Sequence, residues 1–307
     1  MASDYTENAV LTFRVLGPLE IMSEGSPHSV QGSFQAILLL ALLLRRDRFT
    51  SAEELMDEMW GQGHPHKPEN ALQAHVSRLR RWLRAVEPGR PESRLTSQGS
   101  GYRLLYEAGD EFDAATFEQV VTGLRPETGR PARAAADRAA RLRSALGMWR
   151  GPVLGGITGG PICQRGVKHF EEIRLAAYEM LFDAELERGD HAAVISEISE
   201  LAGLESAFQE RFCEQQVIAL CRSGRHADAL DVCRGPWYRL VAAGGGSFRA
   251  LRYYEHAILR HDPILNTPQA RMAGWLDSGP GGIAPRNGRQ GAVSGTANTG
   301  VKLAPRV

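Results

Sequence analysis

The stretch Pro68–Leu83 constrains the fold of this 307-residue chain more than any other, because its apolar residues repeat with the period of an α-helix. At about 100° per residue, one face collects Leu72, Val76, Leu79 and Leu83. The opposite face carries Gln73, Ala74, Ser77, Arg78 and Arg81, with His75 and Arg80 at its flanks. The pattern predicts an amphipathic helix whose outer face is small and polar first and cationic afterwards.

An outer face of this kind suits the major groove of DNA. Small side chains let the backbone approach the base edges, and arginine reaches guanine edges or phosphates. The alternative interpretation is an ordinary helix with a solvated, charged face. The segments on either side of the helix decide between the two.

Those segments predict a winged helix-turn-helix. Strands are predicted at Leu11–Val15, Leu19–Ile21 and His28–Val30, a buried helix at Ser33–Leu44, and a capped helix from Thr50 or Ser51 to Gly61. Pro68 stands just outside the next helix, and Asn70 is its predicted cap. After that helix, Arg94–Ser97 and Tyr102–Leu105 predict a hairpin with a Gly-rich turn.

Basic residues are concentrated on this module. The formal net charge of the chain is zero, so attraction to DNA must be local. From Lys67 to Arg103 there are eight basic residues and three acidic ones, an excess that phosphate binding requires. The predicted DNA contacts are Gln73, His75, Ser77, Arg78, Arg80 and Arg81 on the helix, with Arg94 and Arg103 on the hairpin.

The second half of the chain predicts helices throughout, from Phe112 to Pro263. Arg188–Ile195 aligns with Ser223–Leu230 at an offset of 35 residues, close to the roughly 34-residue tetratricopeptide period. Gly235 and Pro236 are expected to kink or shorten the helix in which they lie. The predicted fold class is an α+β N-terminal winged helix-turn-helix followed by an all-α tetratricopeptide-like helical domain.

Three units are predicted along the chain. Residues 1–110 form the DNA-binding domain, residues 111–264 the helical domain, and residues 265–307 a disordered tail rich in Gly, Pro, Ser and Asn.

No sequence pattern indicates catalysis, a cofactor or a metal. The segment Gly151–Pro161 lacks a phosphate-binding loop motif, and the pair His64 and His66 has no third ligand nearby. The four cysteines show no zinc spacing and are expected to be reduced. Three of them are expected to fill small apolar positions in helices: Cys213, Cys221 and Cys233. No apolar run is long enough to cross a membrane. We therefore expect a cytoplasmic, nucleoid-associated protein that is not an enzyme.

Several blocks resemble a known family. Phe13–Glu20, Leu38–Leu44, Glu58–Gly61, Leu72–Arg81 and Gly99–Arg103 occur in the order found in OmpR/PhoB-type winged helix-turn-helix domains, in the form typical of Streptomyces antibiotic regulatory proteins. Trp149–Pro152, Glu171–Ala177 and Ala257–Pro263 resemble that family's bacterial transcriptional activation domain. One departure is the start of the first helix, Gly32–Ala36, which lacks the basic residues usual there.

The resemblance implies a transcriptional activator of a secondary-metabolite gene cluster. It implies binding to double-stranded DNA at direct repeats near the −35 region, with two or more protomers side by side. It also implies recruitment of RNA polymerase holoenzyme through its principal sigma factor. Two alternatives stay open: a ligand-responsive repressor or regulator that uses the helical domain as a sensor, and a helical-repeat scaffold that binds no DNA.

Overall fold

The structure is a computed structural model, which describes residues 10–124, 132–201, 210–235 and 249–267. Most of the predicted tail lies outside these residues. Its predicted start at residue 265 is wrong, because Pro263–Asn266 forms a 3-10 helix and Leu265 is buried. The helical domain therefore extends at least to that side chain.

The N-terminal half contains two small sheets and three helices. In chain order its elements are β1 (Leu11–Arg14), β2 (Glu20–Ser23), β3 (Ser26–His28), α1 (Ser33–Arg45), β4 (Thr50–Ser51), α2 (Ala52–Trp60), α3 (Pro68–Val86), β5 (Leu95–Gln98), β6 (Gly101–Leu104) and β7 (Glu111–Phe112). One sheet has the order β3-β2-β1-β7, and the other has the order β4-β6-β5. The predicted sheet, three helices and hairpin are all present.

Helix α1 is the centre of this half. Its residues Leu38–Leu43 are buried, because the helix packs against α2 and α3 on one side and against the second half on the other. Helix α2 begins at Ser51 with a capping box, in which the Ser51 hydroxyl accepts from Glu54 N and the Glu54 carboxylate accepts from Ser51 N. This cap fixes the entry to the helix-turn-helix.

Helix α3 begins earlier than predicted. Its first residue is Pro68 and its N-cap is Lys67, whose side chain makes no capping bond, so the prediction of Asn70 as cap is wrong. Proline has no N–H to satisfy and a backbone angle suited to the first helical turn. The helix can therefore start at the proline.

The second half is helical. Its elements are α4 (Asp113–Gly123), α5 (Ala132–Leu146), a 3-10 helix (Val153–Gly156), α6 (Pro161–Arg188), α7 (His191–Leu201), α8 (Glu210–Arg222), α9 (His226–Arg234), α10 (Arg249–Leu259) and the 3-10 helix Pro263–Asn266. Helices α6 to α9 pack in succession. Gly189 and Gly224 occupy equivalent left-handed turns after α6 and α8, as the predicted repeat requires. Helix α9 ends at Gly235, where the predicted break lies.

The start of the second half is bonded to the first sheet. Strand β7 pairs in parallel with β1, with Phe112 opposite Phe13. Asp113, the first residue of α4, accepts hydrogen bonds from the backbone nitrogens of Val15 at 2.9 Å and Leu16 at 3.1 Å. The predicted boundary between residues 110 and 111 stays a prediction, and β7 belongs structurally to the first sheet.

Candidate nucleic-acid interface

Helix α3 presents two distinct faces. The apolar residues Leu72, Val76, Leu79 and Leu83 are each at most 1% exposed. The exposed side chains on the opposite face include Gln73, Ala74, Ser77, Arg78, Arg81 and Arg84. The buried stripe holds the helix against α1 and α2, so the second set faces solvent as one continuous strip.

Arg84 belongs to this strip but was not among the predicted contacts. It follows Arg81 by three residues, which places the two guanidinium groups on the same side of the helix. The helical periodicity that places Arg81 on the outer face also places Arg84 there, so the sequence alone could have predicted Arg84 as a contact. We refer to Gln73, Ser77, Arg78, Arg81 and Arg84 as the α3 strip.

The β5–β6 hairpin forms a wing beside the helix. Its turn residues Gln98, Gly99 and Ser100 are exposed, and Gly99 has a φ of +54°, which a residue without a Cβ adopts readily. At Gly101, a Cβ would lie 2.7 Å from the ring of Phe49. Glycine is therefore needed at both ends of this tip for the wing to keep its shape.

Arg80 connects the helix to the wing. Its Nε donates to the carbonyl oxygen of Leu95 at 2.8 Å, and its Nη2 donates to Ser97 Oγ at 2.8 Å. Its guanidinium carbon lies 5.9 Å from the centre of the Tyr102 ring. Arg80 is one of the predicted DNA contacts. In the structure its hydrogen bonds fix the distance between α3 and the wing.

The prediction that Arg94 contacts DNA is wrong. Arg94 is fully buried, where it pairs with Asp110 and donates from Nη2 to Glu87 Oε1 at 2.7 Å. Burial alone would lower the pKa of this guanidinium, but the hydrogen bonds that it donates to Glu87 and Asp110 raise that pKa overall. Arg94 therefore anchors the base of the wing to the end of α3 and to the loop before β7.

Arg103 is half-buried and faces the end of α1. Its Nε and Nη2 donate to the carboxylate of Asp47 at 2.9 and 2.8 Å. This bidentate pair lowers the pKa of Asp47 and raises that of Arg103. Much of the positive charge expected on the wing is thus neutralised within the protein.

His75 lies in an aromatic cluster rather than on the open strip. Its ring centre is 5.4 Å from that of Phe34 and 6.1 Å from that of Trp60. Burial lowers the pKa of His75, and the charge of Arg78 lowers it further, so the imidazole is neutral at neutral pH. Phe34, which stands at the start of α1 where the resembled family is basic, is 38% exposed.

Three of the eight basic residues are neutralised within the protein. Arg90 pairs with Glu107 at 2.6 Å, and Arg94 and Arg103 are paired as described. Within residues 10–124 and the other described segments, the other five make no ion pair: Lys67, Arg78, Arg80, Arg81 and Arg84. Three of these five lie on the α3 strip, so the strip carries most of the unneutralised charge.

Comparison with known proteins agrees with this architecture. Residues 33–104 match the model for "Transcriptional regulatory protein, C terminal", and residues 112–259 match that for "Bacterial transcriptional activator domain". The transcriptional regulator RedD of Streptomyces coelicolor is 34% identical over 270 residues, which cover 87% of this chain and 75% of RedD. The chain belongs to the Streptomyces antibiotic regulatory protein family. Members of this family are transcriptional regulators with a DNA-binding winged helix-turn-helix.

Two further relatives are longer than the part of them that this chain matches. The regulatory protein AfsR of Streptomyces coelicolor is 34% identical over 268 residues, and the match covers 87% of this chain but 26% of AfsR. The chain therefore spans about a quarter of that relative. The structure of Mycobacterium tuberculosis EmbR in complex with a low-affinity phosphopeptide superposes with a TM-score of 0.71 at 26% identity, over 87% of this chain and 69% of EmbR.

Two features are absent from the described part of this family member. Among residues 10–124, 132–201, 210–235 and 249–267, no helix has both the length and the apolar character needed to span a bilayer. In the same residues, no three His, Cys, Asp or Glu side chains are grouped so that they could hold a metal ion.

Proposed function

We propose that this chain is a sequence-specific transcriptional activator of a secondary-metabolite gene cluster. The observation that carries the proposal is the α3 strip, in which three unpaired arginines follow two small polar residues on a helix held rigidly by its apolar face. Gln73, Ser77 and Arg78 read base edges in the major groove. Arg81 and Arg84 contact the phosphates beside them.

The wing supports this binding from the side. Arg80 holds it at a fixed distance from α3, so the exposed turn Gln98–Ser100 reaches the adjacent backbone or minor groove. The pair Arg103–Asp47 and the cluster around His75 position the surrounding elements. Two or more protomers lie side by side on direct repeats near the −35 region, and they recruit RNA polymerase holoenzyme through its principal sigma factor.

Footprinting tests the first part of the proposal. The purified chain is incubated with the intergenic DNA beside its own gene, and protection is mapped with a nuclease. We expect two or more protected segments with equal spacing upstream of a promoter. Transcription in vitro with holoenzyme then tests activation, and unprotected DNA or an unchanged transcript yield would contradict the proposal.

One observation favours the alternative of a ligand-responsive regulator. A cavity of about 530 Å³ lies between the end of α2 and the start of α6, lined by Ile37, Trp60, Thr158 and Gln164 among others. A small molecule bound there would touch both halves of the protein. The same transcription assay separates the two functions, because an activator raises transcript yield with no added ligand.

A further inference from the structure

Glu58 joins the two halves of the protein through a buried carboxylate. It lies on α2 and is 2% exposed. Its Oε1 accepts from Gly160 N at 2.8 Å and from Cys163 N at 2.9 Å, and its Oε2 accepts from Ile162 N at 2.6 Å. A side chain of the helix-turn-helix therefore caps α6, a helix of the other half.

The acceptor that caps α6 comes from a distant part of the chain. The first N–H groups of any helix have no partner within the helix, and a Ser, Thr, Asp or Asn at the N-cap normally accepts from one of them. Here the N-cap is Gly160, which has no side chain to do so. The acceptor comes instead from about a hundred residues earlier in the chain, and its negative charge is favourable at the positive end of the helix dipole.

The backbone around the carboxylate is shaped to fit it. A Cβ on Gly160 would lie 2.6 Å from Glu58 Cα, and one on Gly159 would lie 2.9 Å from Glu58 Oε1. Both distances are shorter than atoms tolerate, so only glycine admits α2 this close. Burial, together with the Glu58 carboxylate, raises the pKa of the Cys163 thiol, which keeps a second negative charge away from the contact.

Glu58 is also adjacent to the DNA-facing surface. Two residues later on α2, the ring centre of Trp60 lies 6.1 Å from that of His75 on α3. A single turn of helix thus contacts the helical half through Glu58 and the α3 helix through Trp60.

A separate set of contacts holds the halves together elsewhere. Arg150 N donates to Leu16 O at 2.7 Å, Leu154 N donates to Val15 O at 2.8 Å, and Arg150 Nη1 lies 2.8 Å from Glu20 Oε2. These bonds join the end of β1 to the loop before α6. Loss of the Glu58 hydrogen bonds therefore leaves the halves attached through these bonds and through the packing of α1 on α6.

We propose that Glu58 is a positioning residue that sets the orientation of the helical half relative to bound DNA. The inference rests on the proposed function, since activation requires that the helical half meet polymerase at a defined angle from the promoter. DNA binding needs only the α3 strip and the wing. Loss of the Glu58 contact therefore separates activation from DNA binding.

The test uses two variants that break the contact from opposite sides, Glu58→Gln and Gly160→Ala, in the full chain. The amide that Glu58→Gln introduces has one oxygen to offer, which leaves buried N–H groups unsatisfied. Glu53→Gln is the matched control, because Glu53 is exposed on the same helix. Orientation is measured by energy transfer between dyes attached at Glu92→Cys and Asp231→Cys, both exposed positions.

The native cysteines interfere little with this labelling. All four are buried, and burial raises the pKa of Cys221 to about 11 and of Cys233 to about 12. Thiols that stay protonated react slowly. The two introduced surface cysteines are therefore labelled selectively at neutral pH.

We expect both variants to bind an operator selected from random duplex DNA within about twofold of the unmodified chain. The energy-transfer distribution should broaden, and the transcript yield should fall by about fivefold or more, because buried N–H groups that lose their acceptor weaken the contact between the two halves. The control should match the unmodified chain in all three measurements.

Three results would overturn the inference. Unchanged energy transfer and transcript yield would show that Glu58 does not set the orientation. A fall in DNA affinity that parallels the fall in transcript, or loss of the folded state in both variants, would assign the contact to folding alone. If the unmodified chain neither binds DNA nor activates, the proposed function fails, and the energy-transfer measurement still decides whether Glu58 orients the two halves.

Discussion

Arg80 Nε lies 2.8 Å from the carbonyl oxygen of Leu95, so helix α3 and the wing are joined by a charged hydrogen bond. Arg80→Ala removes this bond and the one to Ser97. We expect the free energy of unfolding to fall by about 1–3 kcal/mol, as for hydrogen bonds from a charged donor. Urea denaturation measures it, and hydrogen exchange at the wing turn should accelerate. Exchange at an unchanged rate would show that the bond does not hold the wing.

Arg78 is the arginine of the α3 strip that we propose reads a base. Arg78→Ala should weaken operator binding by about 1–3 kcal/mol, the value of one good base contact, with a smaller effect on unrelated DNA. Titration at one fixed salt concentration measures both affinities. Lys168→Ala is the control, because that lysine is 80% exposed on the helical half. An unchanged operator affinity would remove Arg78 from the interface.

Arg81 and Arg84 should act through phosphates. Each of Arg81→Gln and Arg84→Gln should weaken binding to operator and unrelated DNA alike, and should reduce the slope of log K against log salt by about 1. Binding measured at several salt concentrations gives this slope. A loss restricted to the operator would instead assign the residue to base recognition.

Arg94 should matter for stability and not for DNA contact. Arg94→Ala leaves the buried carboxylates of Glu87 and Asp110 without their cation, which typically costs about 3–5 kcal/mol. Urea denaturation tests this, with Arg84→Ala as an exposed control expected to change stability by at most about 0.5 kcal/mol. Normal stability combined with weak DNA binding would contradict the buried placement.

The pair Asp47–Arg103 predicts a specific dependence on pH. Because Arg103 lowers the pKa of Asp47 below its ordinary 3.8 in the folded state, the pair contributes stability above that ordinary value. The contribution is lost as pH falls through the lower folded value. Comparison of the unmodified chain with Asp47→Asn from neutral to acidic pH should show a difference in unfolding free energy that shrinks with acidification. A difference that grows toward acidic pH would contradict the pairing.

The faces of α3 could be predicted from sequence because they depend on local periodicity. Once Leu72, Val76, Leu79 and Leu83 are buried, the helix has one possible orientation, and Arg78 and Arg81 must face outward. Arg84 follows from the same period. The start of the helix at Pro68 was harder, because capping preference and proline preference compete within three residues.

The partners of Arg94 could not be predicted in the same way. Glu87 and Asp110 approach it from opposite directions along the chain, and their meeting depends on how the hairpin packs on α3. The same is true of Glu58, which contacts nitrogens about a hundred residues away. Nothing in the local pattern of α2 distinguishes it from the neighbouring exposed Glu53. Sequence therefore indicates which residues are basic or acidic, and the fold decides which of them are neutralised.

The parallel pairing of β7 with β1 has a practical consequence for anyone who divides this protein. A fragment that ends at residue 110 loses the strand opposite Thr12 and Phe13, and β1 becomes the edge of its sheet. Edge strands with free N–H and C=O groups pair readily with other chains. Such a fragment is expected to self-associate, whereas one that continues through α4 to residue 124 keeps the edge covered.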